Sequence, residues 1–338
     1  MGAQLFHDRS VFQMLSIRHY LGVLGLIGLA FAPTYTDDVT LYTLMGALYF
    51  GVFAMTWDLV AYTGEVSFGH ALFFGVGGYT SAILNVEMGV DPAIGILIGA
   101  VMAAIAGIII GFPALRLEGP YLSLITLISP LILLRVFVYF SDVTGGMQGL
   151  LGVDQLVDGL VMNYYVAFGV FVFVLLVLLV LTRSDAGSVF TAIPENIDAV
   201  RVAGISPAKF KLFAFVLSGF LGGLAGGFLA HSVAGTVSPG VLLSEAVSIN
   251  VIIAAIFGGM STIVGGAVGG IAFFLLRDFL RGVDLTIPLV HHSVSEVYLI
   301  IFYAIAILML YFLPDGFVVK AIEWGRGGVD RVVGGDQE

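Results

Sequence analysis

Few side chains in this sequence can do chemistry, and those that can are interleaved with glycine. Glu65, Ser67 and His70 stand with Gly64 and Gly69 between two apolar runs. One reading is a broken membrane helix whose freed backbone donors and small polar side chains meet a passing solute. The other is a turn with a helix cap and a satisfied histidine. Ser67 and His70 are the residue types of a hydroxyl nucleophile and its base, but no third group stands near to orient the imidazole. Thr126, Ser129 and Pro130 interrupt the run 121–140; Ser and Thr bond their own helix backbone, and the proline would kink it. Arg135 has Asp142 as a partner or snorkels outward. Ser261 and Thr262 lie among Gly258, Gly259, Gly265 and Gly266, and Gly258–Ser261 repeats the G-x-x-S spacing of Gly64–Ser67. The adjacent His291 and His292 do not share a helix face, and no carboxylate stands at metal-site spacing from them. They read as solvated residues or docking contacts. With no cysteine in the chain, disulfides, thiol catalysis and thiolate metal sites are excluded. No metal or cofactor is expected.

The elements that must position these residues are membrane helices. Of 338 residues, 59% are hydrophobic and 11% charged, against about 25% charged in ordinary soluble domains. A chain this apolar cannot cover itself with polar groups in water. It reads as an all-α polytopic membrane protein, residues 1–338 forming one transmembrane domain. Roughly 20 apolar residues cross a bilayer, and apolar runs fall at 19–36, 39–62, 68–86, 92–113, 121–140, 161–181, 210–231, 245–259, 264–282 and 295–313. About ten helices are expected, with eight to ten compatible because the runs at 68–86 and 245–282 are glycine-rich. The start lacks a signal-peptide cleavage pattern, so its first run is expected to stay as a helix. Glycines such as Gly75, Gly77, Gly78, Gly222, Gly223, Gly226 and Gly227 read as helix-packing residues. The formal net charge is −10, and no basic stripe suits nucleic acid.

Orientation follows from lysine and arginine. With ten spans and both termini in the cytosol, Arg9, Arg18, Arg116, Arg183, Arg201, Lys209, Lys211, Lys320, Arg326 and Arg331 fall inside, leaving Arg135, Arg277 and Arg281 outside. The acidic stretches Asp37–Asp38, Glu87–Asp91 and Asp142–Asp158 also fall outside.

The longest basic loop runs through 183–211. Pro194 suits the first turn of a helix, with Glu195 and Asp198 near its positive end. Ala199, Val200, Val202 and Ala203 supply an apolar face, and Gly204 fits a C-terminal cap. Ser206 is placed to cap a second helix opening at Pro207. The pattern predicts a short helix, a glycine turn and a second helix entering the membrane. It reads equally as a solvated loop held near headgroups by Lys209 and Lys211, or as a surface that a motor protein pushes against.

AIPENIDAVRVAGISPAKFKLFAFVLSGFLGGLAGG, residues 192–227, resembles the coupling motif and following helix of the branched-chain amino acid ABC-transporter permeases. YTGEVSFGHALFFGVGGYT (62–80), LRLEGPYLSLITL (115–127), TGGMQGLLG (144–152) and GGMSTIVGGAVG (258–269) are similar to further segments of that family, in the same order. The resemblance implies a type II importer fold. It also implies a second, related permease chain, two cytosolic ABC ATPase subunits and an external solute-binding protein. It places Gly187, Glu195, Asn196, Gly204 and Lys209 in the ATPase-coupling element. The chain departs from the family at Pro194 and Ser188, where members usually or often have arginine. The expected pathway residues are Ser67, His70, Tyr79, Thr126, Ser129, Ser261 and Thr262.

The chain carries no GxxxxGK[ST] phosphate-binding loop, so an ATP-driven reading needs a separate motor, and the chain itself is expected to be non-catalytic. The expected solute is a branched-chain amino acid (leucine, isoleucine or valine) or a related small molecule; urea, short amides and sugars remain open. An ion-coupled secondary transporter would require carboxylates buried at mid-span, which the runs 161–181 and 295–313 do not offer apart from Glu296 at one end.

Overall fold

The computed structural model describes residues 17–115, 121–233, 236–287 and 292–313, with 316, 317 and 320. His291, the side chain of His292, and residues 116–120 of the 115–127 run lie outside what it describes.

Each of the ten apolar runs carries a helix. They are α1 (Ile17–Ala30), α2 (Asp38–Ala61), α3 (Ala71–Met88), α4 (Pro92–Ala114) and α5 (Tyr121–Tyr139), followed by a single turn, α6 (Ser141–Thr144). Then come α7 (Leu160–Thr182), the two short helices α8 (Asp185–Glu195) and α9 (Ile197–Val202), and α10 (Pro207–Ala230). The turn α11 (Pro239–Leu242) leads into α12 (Glu245–Gly258), and α13 (Ile263–Gly282) and α14 (Val294–Phe312) complete the described helices. Among the described residues eight segments are long and apolar enough to cross a membrane: α2, α4, α5, α7, α10, α11–α12 taken together, α13 and α14. The short α1 and the glycine-rich α3 are not among them. The only ladders described are two-residue antiparallel pairs, β1 (Leu150–Leu151) with β2 (Thr236–Val237) and β3 (Thr286–Ile287) with β4 (His292–Ser293).

Helix α2 is the axis of the bundle. From Ala47 to Ala61 all but Phe50 are buried, as expected of a helix apolar all round and enclosed by protein. On one side it packs on α7, α12 and α13; on the other it meets α10, which joins α3 and α4. Helices α4, α5 and α14 instead turn residues such as Ile109, Leu124 and Ile300 outward, the surface that lipid or another membrane chain covers.

Glycine sets the spacing of the α3–α4–α10 layer. A Cβ on Gly77 would lie 2.0 Å from the carbonyl oxygen of Gly223, and one on Gly99 would lie 2.3 Å from that of Gly77. Three backbones therefore touch at one level, which is the packing role expected for these glycines.

The connections sort into two ends. Turns 62–70 and 259–262, α8 and α9 share one end, joined by contacts such as Gly64–Pro194 and Asp58–Ser261. The loops after α1, α3, α5, α10 and α13 share the other.

Candidate functional site

The helices break where the sequence places Glu65, Ser67 and His70. Between α2 and α3, residues 62–70 leave helical geometry, yet Thr63, Ser67, Gly69 and His70 are buried. Buried irregular backbone persists only where protein or water satisfies it, and here two helices do so. From α2, the Trp57 indole Nε1–H donates to the Ser67 carbonyl at 2.7 Å. From α5, the Ser123 hydroxyl donates to the Val66 carbonyl at 2.8 Å, and the Thr126 hydroxyl accepts the Phe68 N–H at 3.1 Å. The Ser248 hydroxyl on α12 accepts the Ala71 N–H at 3.0 Å.

Pro130 explains why the break seats on α5. It lacks an N–H, so the Thr126 carbonyl four residues earlier has no helical donor. Gly69 fills the space before that carbonyl; a Cβ there would lie 1.5 Å from the oxygen. The kink expected at Pro130 thus becomes a docking point for the break.

His70 is wholly buried. Its Nε2 lies 3.1 Å from the Thr56 hydroxyl and 3.3 Å from that of Ser218. Those hydroxyls donate to the carbonyls of Phe53 (2.9 Å) and Thr56 (2.6 Å) respectively. Both oxygens are therefore left to accept, which assigns the proton to Nε2 and leaves Nδ1 as a bare acceptor. Phe53 and Phe73 enclose the ring at centroid distances of 5.0 and 5.3 Å. The Ser67 hydroxyl and the Tyr79 hydroxyl are likewise buried without a protein partner among the described residues. Ser67 and His70 are separately enclosed and form no hydrogen-bonded dyad, so a Ser–His nucleophile is not assembled.

Of the seven expected pathway residues, Ser67, His70 and Thr126 converge at the break. Ser129 and Tyr79 lie farther along the α3–α5 seam, with the Tyr79 ring tilted against Phe137 at a centroid distance of 4.3 Å. The Ser129 hydroxyl donates to its own helix at Ile125, 2.7 Å away. Ser261 and Thr262 stand apart, in the turn between α12 and α13. Thr262 donates to Gly259, and Ser261, at φ +58°, donates its N–H to the Asp58 carboxylate at 2.6 Å. The two G-x-x-S segments share one end of the bundle. Sequence reasoning missed Asp58, which is wholly buried with its second oxygen unpartnered. A lone carboxylate inside the run 39–62 was the signal, since a membrane charge is expensive unless used.

The segment 183–211 differs from expectation at its start and agrees at its end. Pro194 does not open a helix; it lies in the last turn of α8, a helix the sequence reading did not anticipate. Glu195 therefore ends α8 instead of opening the next helix. Asn196 is the true cap: its side chain accepts the Ala199 N–H at 2.9 Å and starts α9. At the far end Gly204 has φ +79°, its N–H donates to Arg201 and that of Ile205 to Val200, the paired bonds of a Schellman turn. Ser206 holds the N-cap position of α10 without a side-chain capping bond. Gly187 is buried, with room only for hydrogen against the Thr182 carbonyl, 2.2 Å from a would-be Cβ. Glu195, Asn196, Gly204 and Lys209 are exposed.

These features define a polytopic helical membrane protein with a buried break between α2 and α3 enclosed by protein and a capped two-helix element at the same end. Residues 39–312 match the family model described as branched-chain amino acid transport system / permease component, and the chain belongs to that family. It is 27% identical over 289 residues to the high-affinity branched-chain amino acid transport system permease protein LivM of Escherichia coli (strain K12) and 25% to LivM of Salmonella typhimurium. Each match covers 77% of this chain and 65% of the relative, so the chain spans just under two thirds of the length of those proteins. It is also 25% identical to the fructose import permease protein FrcC of Rhizobium meliloti, over 79% of each chain.

Proposed function

We propose that this chain is the membrane subunit of an ATP-binding-cassette importer and forms part of the translocation route for branched-chain amino acids or closely related small solutes. Its partners in this reading are a second, related permease chain, two cytosolic ATPase subunits and an external solute-binding protein. The observation that carries the reading is the exposed α8–α9 element. It is capped at Asn196, closed at Gly204, and stands at the end that also holds Arg183, Lys209 and Lys211. Basic residues favour the cytosolic side, so a motor there has a preformed surface to push. The chain holds no P-loop, and the partners supply the ATP hydrolysis.

The solute preference rests on an open groove beside the break, about 300 Å³, lined by Phe68, Ser123, Leu124 and Leu127 on an outward face that the second permease chain would close. Three of its four walls are apolar, and the Ser123 hydroxyl already donates to Val66. That lining suits a branched aliphatic side chain better than a sugar, which needs several hydrogen-bond partners. The fructose relative makes the sugar the second reading to test.

The experiment is reconstitution of this chain with its four partner subunits in proteoliposomes. ATP-dependent accumulation of leucine, isoleucine or valine is expected, with fructose excluded. Accumulation of fructose alone would reverse the solute assignment, and transport by the chain alone down an ion gradient would refute the importer reading.

A further inference from the structure

The break and the α8–α9 element touch at two adjacent residues. Lys211, in the second turn of α10, holds Glu65 with Nζ 2.5 Å from Oε1, and the two side chains are only 16% and 19% exposed. Next to them, Gly64 at φ +78° lies against Pro194, whose Cβ would sit 2.9 Å from a Cβ on the glycine. One contact is an ion pair removed from most of the solvent; the other is a backbone pressed on a rigid ring. The ion pair lies off the exposed surface offered to a motor, whereas Gly64 and Pro194 are exposed at its edge; neither contact belongs to the groove offered to a solute.

The break has few other ties at this end. Beyond Glu65 the chain is held by Trp57, Ser123 and Thr126, on α2 and α5. Besides the deeper His70–Ser218 bond to α10, Glu65–Lys211 and Gly64–Pro194 join the start of the break to the segment running from α8 into α10. An attraction between opposite charges is stronger where water is partly excluded, and the lysine stem passes from α10 to the break without an intervening loop.

We propose that Glu65 and Lys211 are positioning residues for coupling. Through their ion pair, and the Gly64–Pro194 contact beside it, displacement of α8–α9 moves the break that carries Phe68 along the groove. This rests on the importer reading given above, and deepens it by naming the linkage.

The test uses the assembled transporter. Because the chain has no cysteine, a single Phe68→Cys reports the position of the break by its alkylation rate, with and without trapped ATP. In the background with Glu65 and Lys211 intact, ATP should change that rate about fivefold or more, the scale of ordinary coupling between sites. Glu65→Gln or Lys211→Met should reduce the response to within about twofold. The exchange Glu65→Lys with Lys211→Glu should restore it. Lys211→Arg, which keeps the charge, should retain it. A full ATP response in both neutral variants would overturn the linkage while leaving the importer reading standing. So would an exchange no better than the single variants. Absence of any ATP-driven uptake by the unmodified assembly would instead count against the importer reading.

Discussion

Trp57 donates its indole N–H to the carbonyl oxygen of Ser67 at 2.7 Å, inside the bundle. Its neighbours do related work: Thr56 meets the imidazole of His70, and Asp58 holds the N–H of Ser261. Three consecutive residues of α2 thus hold two other segments, the break at two points and the 259–262 turn at a third. Trp57→Phe keeps most of the ring and leaves the Ser67 carbonyl unpaired. It should cost about 1–3 kcal/mol, the penalty of a buried polar group without a partner, and a thermal unfolding series in detergent should show a lower midpoint.

Gly69→Ala places a methyl group where the Thr126 carbonyl already is. Since neither backbone can retreat within a close-packed interior, the variant should fail to give a monodisperse peak on gel filtration. Ser129→Ala on the same seam loses only a bond to its own helix and should fold, at a cost of about 0.5–1.5 kcal/mol.

Gly204 makes the opposite case. Nothing lies within 4 Å of a Cβ there, but φ is +79°. Gly204→Val therefore meets backbone strain alone, about 1–2 kcal/mol for a left-handed residue. It should insert normally while ATP-driven uptake falls, because α9 no longer closes on its turn. Gly204→Asn, a type that tolerates left-handed geometry, should retain uptake.

His231 follows α10 and joins the loop 154–156 to α3. Its Nε2 accepts from the Ser81 hydroxyl at 2.7 Å, and its Nδ1–H donates to the Asp154 carbonyl at 2.7 Å. Burial holds its pKa below the ordinary 6.5, against the smaller opposing effect of the Asp154 bond. The folded state then binds this proton less readily than the unfolded chain. Stability from this group is complete above about pH 6.5 and falls as pH drops through that value toward the lowered pKa. His231→Gln should flatten that part of the thermal-midpoint profile between about pH 7.5 and about pH 5.5.

Much of the fold was legible because lipid imposes a simple rule on length and polarity. The helices α4 and α7 end within one residue of the runs 92–113 and 161–181. Burial was not legible. Helix α2 at the centre and α14 at the edge are both apolar all round, since lipid and protein core make the same demand. The break was marked by Gly64, Ser67 and Gly69, yet its partners Ser123, Trp57 and Ser248 come from segments far apart in sequence, and only the packing brings them in. Pro194 misled because proline is as welcome in a first turn as it is tolerable here at a helix end. Asn196, two residues on, carried the capping signal.

In the importer proposed here the α8–α9 element faces the cytosol and receives the motor. Val202, 89% exposed in the last turn of α9, tests it directly in this cysteine-free chain. With Val202→Cys, a membrane-impermeant maleimide should label inside-out vesicles and spare right-side-out ones, and bound ATPase subunits should shield the site. Labelling of right-side-out vesicles, with no protection by the ATPases, would put the element on the outer face and rule out its role as the motor's contact.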